Sequence, residues 1–205
     1  MHIEKNVCES LLNTLLNVNG KTKDGHNARK DLVEMQIRSD LHPKVQGNNT
    51  YLPPAPTTLS RVERQEFCKR LFMMKLPNGY GTIIGNCVDV NQCKIKGLKS
   101  HDCHLLMQQL LPTALRGLLP QGPRTAIMRL SVFFNRLCQW KIDSKELMEL
   151  EEEVVETLCL LERWFPPSCF DVMVHLVTHI GREARLCGPV QFRWMYPFER
   201  LVGTC

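Results

Sequence analysis

The stretch FDVMVHLVTH, residues 170–179, places His175 and His179 four residues apart, with Asp171 four before the first. On an α-helix all three fall along one face, and two imidazoles at that spacing can meet one metal ion. The zinc-protease arrangement H-E-x-x-H needs a glutamate directly after the first histidine to act as general base. Leu176 stands there, which argues against that chemistry. The residues alone leave two readings for the pair: histidines packed on a helix, or half of a metal site. A second group is SHDCH, residues 100–104, where His101, Cys103 and His104 lie within four residues. The competing reading there is a helix start, in which Asp102 complements the helix dipole. A third group is Glu183 and Glu199, which flank RLCGPVQFRWMYPF; Glu199 sits among Trp194, Tyr196 and Phe198, with Arg193 and Arg200 nearby. An ion pair is the plainer role for an acid in such a segment. No G-x-x-x-x-G-K-[ST], G-x-G-x-x-G or G-x-S-x-G occurs, so neither a nucleotide cofactor nor α/β-hydrolase chemistry is indicated.

The elements that must position these groups are mostly helices. Val7, Leu11, Leu12, Leu15 and Val18 follow helical spacing over residues 3–18, with a stop at Gly20. A shorter helix is predicted over 27–38. LHPKVQGNNTYLPPAPTT is too rich in Pro, Asn and Gly for a helix and reads as an extended linker. Ser60 and Glu63 form a capping box before Phe67, Leu71 and Phe72. Turn residues around short β-branched runs predict a weak hairpin near 82–95. Ser100 is expected to cap the next helix. QGPRTAIMRLSVFFNRLCQW is a strong helix with a proline in its first turn. Asp143 and Ser144 begin a further helix, whose apolar positions 147, 150, 154, 158 and 161 make one stripe ending at Pro166 and Pro167. The last long helix is expected to be capped by Ser168 and stopped at Gly188-Pro189.

Composition and charge narrow the class. The chain has 205 residues, 43% apolar, a net charge of +5 and ten cysteines, none in a C-x-x-C pair. No apolar run is long enough to span a membrane, and MHIEKNVCES lacks a signal-peptide core. Reduced thiols and a protein that is not secreted are therefore expected. Charge is uneven: residues 116–141 hold five basic and no acidic residues, whereas 143–162 hold eight acids. A basic block suits a polyanion; the alternative is a pair of complementary helix faces within one domain.

Three long blocks carry a resemblance: MHIEKNVCESLLNTLLNVNGKTKDGHNARKDL, GLKSHDCHLLMQQLLPTALRGLLP and FPPSCFDVMVHLVTHIGREARLCGPVQFRWMYPFER. Together they resemble the C-terminal region of plant CACTA-type (En/Spm-like) DNA transposases, including a helical domain of unknown function. The resemblance implies a mainly α chain: the helical insertion-type domain of an RNase H-like transposase, with a short irregular or β segment near 80–95. It divides the sequence into a core remnant at 1–50, a linker with a small α/β segment at 51–99, and a helical domain at 100–205. Relatives of this kind cut DNA with two Asp and one Glu holding two divalent ions. The two Asp would lie upstream of Met1, and Glu199 best matches the third acid, with Glu4 its rival. Magnesium would then belong only to the full-length ancestor.

The same resemblance implies that His2, His175 and His179 brace the helical insertion through zinc. The expectation is a truncated, non-enzymatic, transposase-derived protein, nuclear if functional. It would contact transposon DNA or transposase subunits, with Arg116, Arg124, Arg129 and Arg136 on phosphates. The alternative is a helical protein–protein module without nucleic acid.

Overall fold

The structure, a computed structural model, describes residues 2–47, 49–74 and 84–193. It is mainly helical. Helix α1 (His2–Leu15) buries Val7, Cys8, Leu11, Leu12 and Leu15. It ends where Asn17 and then Gly20 take positive φ, 48° and 75°. The second is the left-handed region that glycine enters without steric cost.

Helix α2 (His26–Glu34) is shorter than predicted, and Met35 and Ile37 beyond it are exposed. Its buried Arg29 organises the neighbouring chain. The guanidinium donates to Asp24 Oδ2 at 2.8 Å, to the Leu41 carbonyl at 2.8 Å and to the Pro53 carbonyl at 3.1 Å. A buried cation requires such acceptors, and they fasten the region expected to be a linker onto α2. That region carries a small exposed hairpin, β1 (Lys44–Gln46) with β2 (Asn49–Tyr51). It then buries Ala55, Thr57 and Leu59. The Leu59 N–H reaches the Leu15 carbonyl at 3.0 Å. It is packed irregular structure rather than a free connection.

Helix α3 (Arg61–Met73) starts with the predicted capping box: Ser60 Oγ accepts from the Glu63 N–H at 3.3 Å, and Glu63 accepts from the Ser60 N–H at 2.8 Å. The hairpin β3 (Val88–Asp89) with β4 (Lys94–Ile95) stands in the segment read as β. Helix α4 (Ser100–Leu105) is preceded by Lys99, whose N–H donates to Asp102 at 2.8 Å. Ser100 is thus the first helical residue and not the cap. One turn of π-helix, Leu106–Leu110, runs directly into α5 (Leu111–Ala114).

Three long helices complete the fold: α6 (Gln121–Leu137), α7 (Ser144–Trp164) and α8 (Val172–Cys187). Helix α8 is capped by Asp171 rather than Ser168, whose hydroxyl instead donates to the Lys23 carbonyl. The main apolar core runs from Val7 to Ala184 and draws on α1, α3, the α4–α5 run and all three long helices, and a small second cluster joins Leu32, Leu41 and Ala55. Gly122 and Trp164 meet across the α6–α7 contact, where a Cβ on Gly122 would fall 2.2 Å from the indole ring.

That close approach gives Gly122→Ala a diagnostic sign. Helix propensity alone would stabilise the variant by about 1 kcal/mol. Displacing the indole should instead cost about 1–3 kcal/mol. A lower urea midpoint in circular dichroism is the expected outcome.

Candidate functional site: a buried glutamate, histidine and thiol

Helix α8 turns Val174, Val177, Gly181 and Ala184 inward, which leaves His175 and His179 exposed to solvent. The two rings do meet: their Nε2 atoms are 3.2 Å apart, with ring centroids at 5.0 Å and edge-to-face. That spacing is close to the roughly 3.3 Å between two nitrogens of a tetrahedral zinc ion at Zn–N 2.0–2.1 Å. Asp171 adds no ligand. Its carboxylate caps α8 by accepting from the Met173 and Val174 N–H groups at 3.0 and 3.4 Å, and from Lys23 Nζ at 3.0 Å. His2 does not join either. Among the described residues, the ring nitrogens of His2, His175 and His179 do not gather within 4.8 Å of one another. Of the expected three-histidine brace, the described contacts show the exposed His175–His179 pair, turned outward because α8 is oriented by its apolar face. Glu199, the expected third acid, lies outside the described residues.

The basic block faces inward along α7. Arg136 reaches Glu146 at 3.4 Å, Glu149 at 3.9 Å and Glu153 at 2.8 Å, and Arg129 reaches Glu156 at 3.4 Å. These pairs set α6 and α7 antiparallel. Two of the four arginines expected on phosphates are thus engaged within the domain, as the complementary-face alternative implied. Arg116 is exposed and Arg124 half-buried, and neither forms an ion pair among the described residues.

A different group of chemically capable side chains converges in the interior. Glu4, His104 and Cys138 bring one ligand atom each to within 4.8 Å of the others. Glu4 comes from the first turn of α1, His104 from α4, and Cys138 from the C-terminal cap of α6. Glu4 is only 4% exposed. Its two oxygens have separate partners: Oε2 lies 2.8 Å from His104 Nδ1, and Oε1 accepts from Gln108 Nε2 at 2.9 Å. Gln108 belongs to the π turn, and turns of this kind are frequent at functional sites.

Beside the cluster is a 180 Å³ cavity lined by Glu4, Cys138, Ile180, Glu183 and Arg193, among others. Burial, and after it the nearby Glu4 carboxylate, pushes the Cys138 thiol up to about 12. It is a poor nucleophile at neutral pH. The sequence signalled His104 and Glu4 separately, and Cys138 only as one of ten cysteines. What unites them is tertiary, since Glu4 and His104 are 100 residues apart.

Residues 137–205 match the family model of a domain of unknown function, DUF4218. The matched stretch opens at the last residue of α6 and includes α7 and α8. Cys138 lies inside it, whereas Glu4 and His104 lie in the preceding part of the chain. No curated protein and no solved structure matches the chain. Among the described residues, no helix is long and apolar enough to cross a membrane.

The same contacts set titration and reactivity. Burial alone would raise the Asp171 carboxyl, but Lys23 and two helix N–H groups outweigh it and hold it below its usual value. A depressed folded-state value stabilises above the unfolded carboxyl range and is lost as pH falls through the folded value. Asp171→Ala should therefore cost about 0.5–2 kcal/mol near neutrality. The difference from wild type should shrink in urea titrations taken below that window. With iodoacetamide at neutral pH, the exposed Cys159 and Cys187 should alkylate at least about tenfold faster than buried Cys8, Cys103 and Cys169 or the raised Cys138. Peptide mapping by mass spectrometry reads the order.

Proposed function

We propose that this chain is a non-catalytic helical module derived from a CACTA-type transposase, which acts by docking on a transposase subunit. Support for the transposase origin comes from the DUF4218 match, a domain found in transposase-like plant proteins, and from the three sequence blocks that resemble that family. An origin as the helical insertion of an RNase H-like enzyme, acting in the nucleus, belongs to the same reading. The strands among the described residues are two short hairpins.

The choice of a protein partner over DNA rests on one observation. Arg129 and Arg136, which share a face of α6, are paired with four α7 carboxylates. Phosphates approaching that face would meet Glu146, Glu149, Glu153 and Glu156 as well. The groove between the same helices instead presents Met128 and Val132, 43% and 51% exposed, beside Thr125 and Thr157. Partly exposed apolar side chains within a charged rim suit a protein interface. Transposon-end DNA held by Arg116 and Arg124 is the second reading, supported by their lack of an acidic partner among the described residues.

The test uses the purified chain with an intact transposase of the resembling type and with a labelled duplex of transposon-end sequence. Light scattering after gel filtration should show a complex that Met128→Glu with Val132→Glu abolishes. Anisotropy should show DNA binding no tighter than the non-specific range, about 1 µM or weaker at physiological salt. The chain should not nick plasmid DNA in Mg²⁺ or Mn²⁺. Tight, salt-steep DNA binding that Arg116→Glu with Arg124→Glu removes would replace the docking reading, and nicking lost in Glu199→Gln would overturn the non-catalytic one.

A further inference from the structure

We propose that Glu4, His104 and Cys138 form a binding site for one zinc ion, with its fourth position facing the adjoining cavity. The donor set points to the class of metal. A thiolate argues against magnesium and calcium, which take oxygen ligands, and a carboxylate argues against copper(I), which favours soft sulfur sites. One sulfur, one nitrogen and one oxygen suit zinc, whose three-ligand sites keep a fourth position for water.

The position is prepared by the fold. Three separate helices supply the ligands, and the ligand atoms already lie within 4.8 Å of one another. Tetrahedral zinc needs separations of roughly 3.3–3.8 Å at its usual bond lengths, so small side-chain shifts suffice. Gln108, at 2.9 Å from Glu4 Oε1, orients the carboxylate from outside the ligand set. The cavity wall at Glu4 and Cys138 gives the fourth ligand a place.

Charge favours the same assignment. Zn²⁺ with one carboxylate, one thiolate and a neutral imidazole sums to zero, which suits a buried site where net charge is costly. Binding also displaces protons. Cys138 must release its thiol proton to solvent as the Zn–S bond forms, and the proton between His104 Nδ1 and Glu4 must leave whichever atom binds the metal. Because these protons compete with the metal, affinity increases as pH rises.

The exposed His175–His179 pair is a rival zinc binder, so the test separates the two. In a background carrying His175→Ala and His179→Ala, titration calorimetry should still show one zinc equivalent, with at least one proton released as judged from buffers of different ionisation enthalpy. Cobalt(II) should give thiolate charge-transfer absorption that Cys138→Ser removes. Gln108→Ala should weaken zinc about 10–100-fold while leaving the ligands in place.

Because Cys138→Ser could disturb packing, X-ray absorption on the zinc-loaded unsubstituted chain supplies a measurement that needs no variant at the site. One sulfur beside nitrogen and oxygen ligands is expected. A first shell without sulfur, a shell with two sulfurs, or loss of all binding in the double-histidine background would overturn the proposal. The cluster would then be a hydrogen-bonded structural element.

Discussion

The burial of α1 along one face is the constraint on which most of the interior depends. Cys8, Leu11 and Leu15 are turned into the core, and Glu4 occupies the same face one turn earlier. A helix cannot bury that stripe and keep its first-turn carboxylate in water, because positions four apart lie one above the other. The carboxylate therefore needs donors inside the protein, where an unsatisfied charge is prohibitively costly. His104 and Gln108 supply them. One residue before His104, Cys103 is fully buried in the same core as Cys8. The position of α4 and of the π turn is thus tied to α1 by polar groups as well as by apolar contact.

The α6–α7 pair shows a different division of labour. Its charged contacts are largely exposed, and such pairs contribute about 0–1 kcal/mol each. The stripe of Leu147, Leu150, Val154 and Leu161 against Ile127, Leu130 and Phe134 supplies the larger share of cohesion. What the ion pairs add is alignment and character. They fix which carboxylate sits opposite which guanidinium, and they turn a face that is basic by composition into one of mixed sign.

Legibility in the sequence tracked the range of the interaction. Capping of α3, the stop of α8 at Gly188 and the stripe of α7 are local patterns, and residue spacing alone exposes them. The Ser100 and Ser168 assignments failed because a neighbouring aspartate, Asp102 or Asp171, was better placed to accept the free N–H groups. The segment 41–58 looked like a linker because its composition forbids a helix. Its anchoring to Arg29 is invisible until Asp24, Leu41 and Pro53 are brought together. The interior cluster was half legible: His104 stood in a suggestive pentad and Glu4 in a helix start, but nothing local links either to Cys138. Conversely, the i, i+4 histidines met each other as spacing required, while their partner at the chain start depended on tertiary placement that spacing does not encode.

The π turn at Leu106–Leu110 carries a consequence for the phase of the chain. One extra residue in that turn lets both Leu106 and Leu111 be fully buried while Gln108 points at Glu4. In an uninterrupted α-helix each residue advances about 100°. Deleting one position from the turn would rotate everything C-terminal to it by that amount relative to α4. The chain therefore stores at this point an angular offset between its two halves. A homologous sequence one residue shorter here would have to place its inward face on a different set of positions.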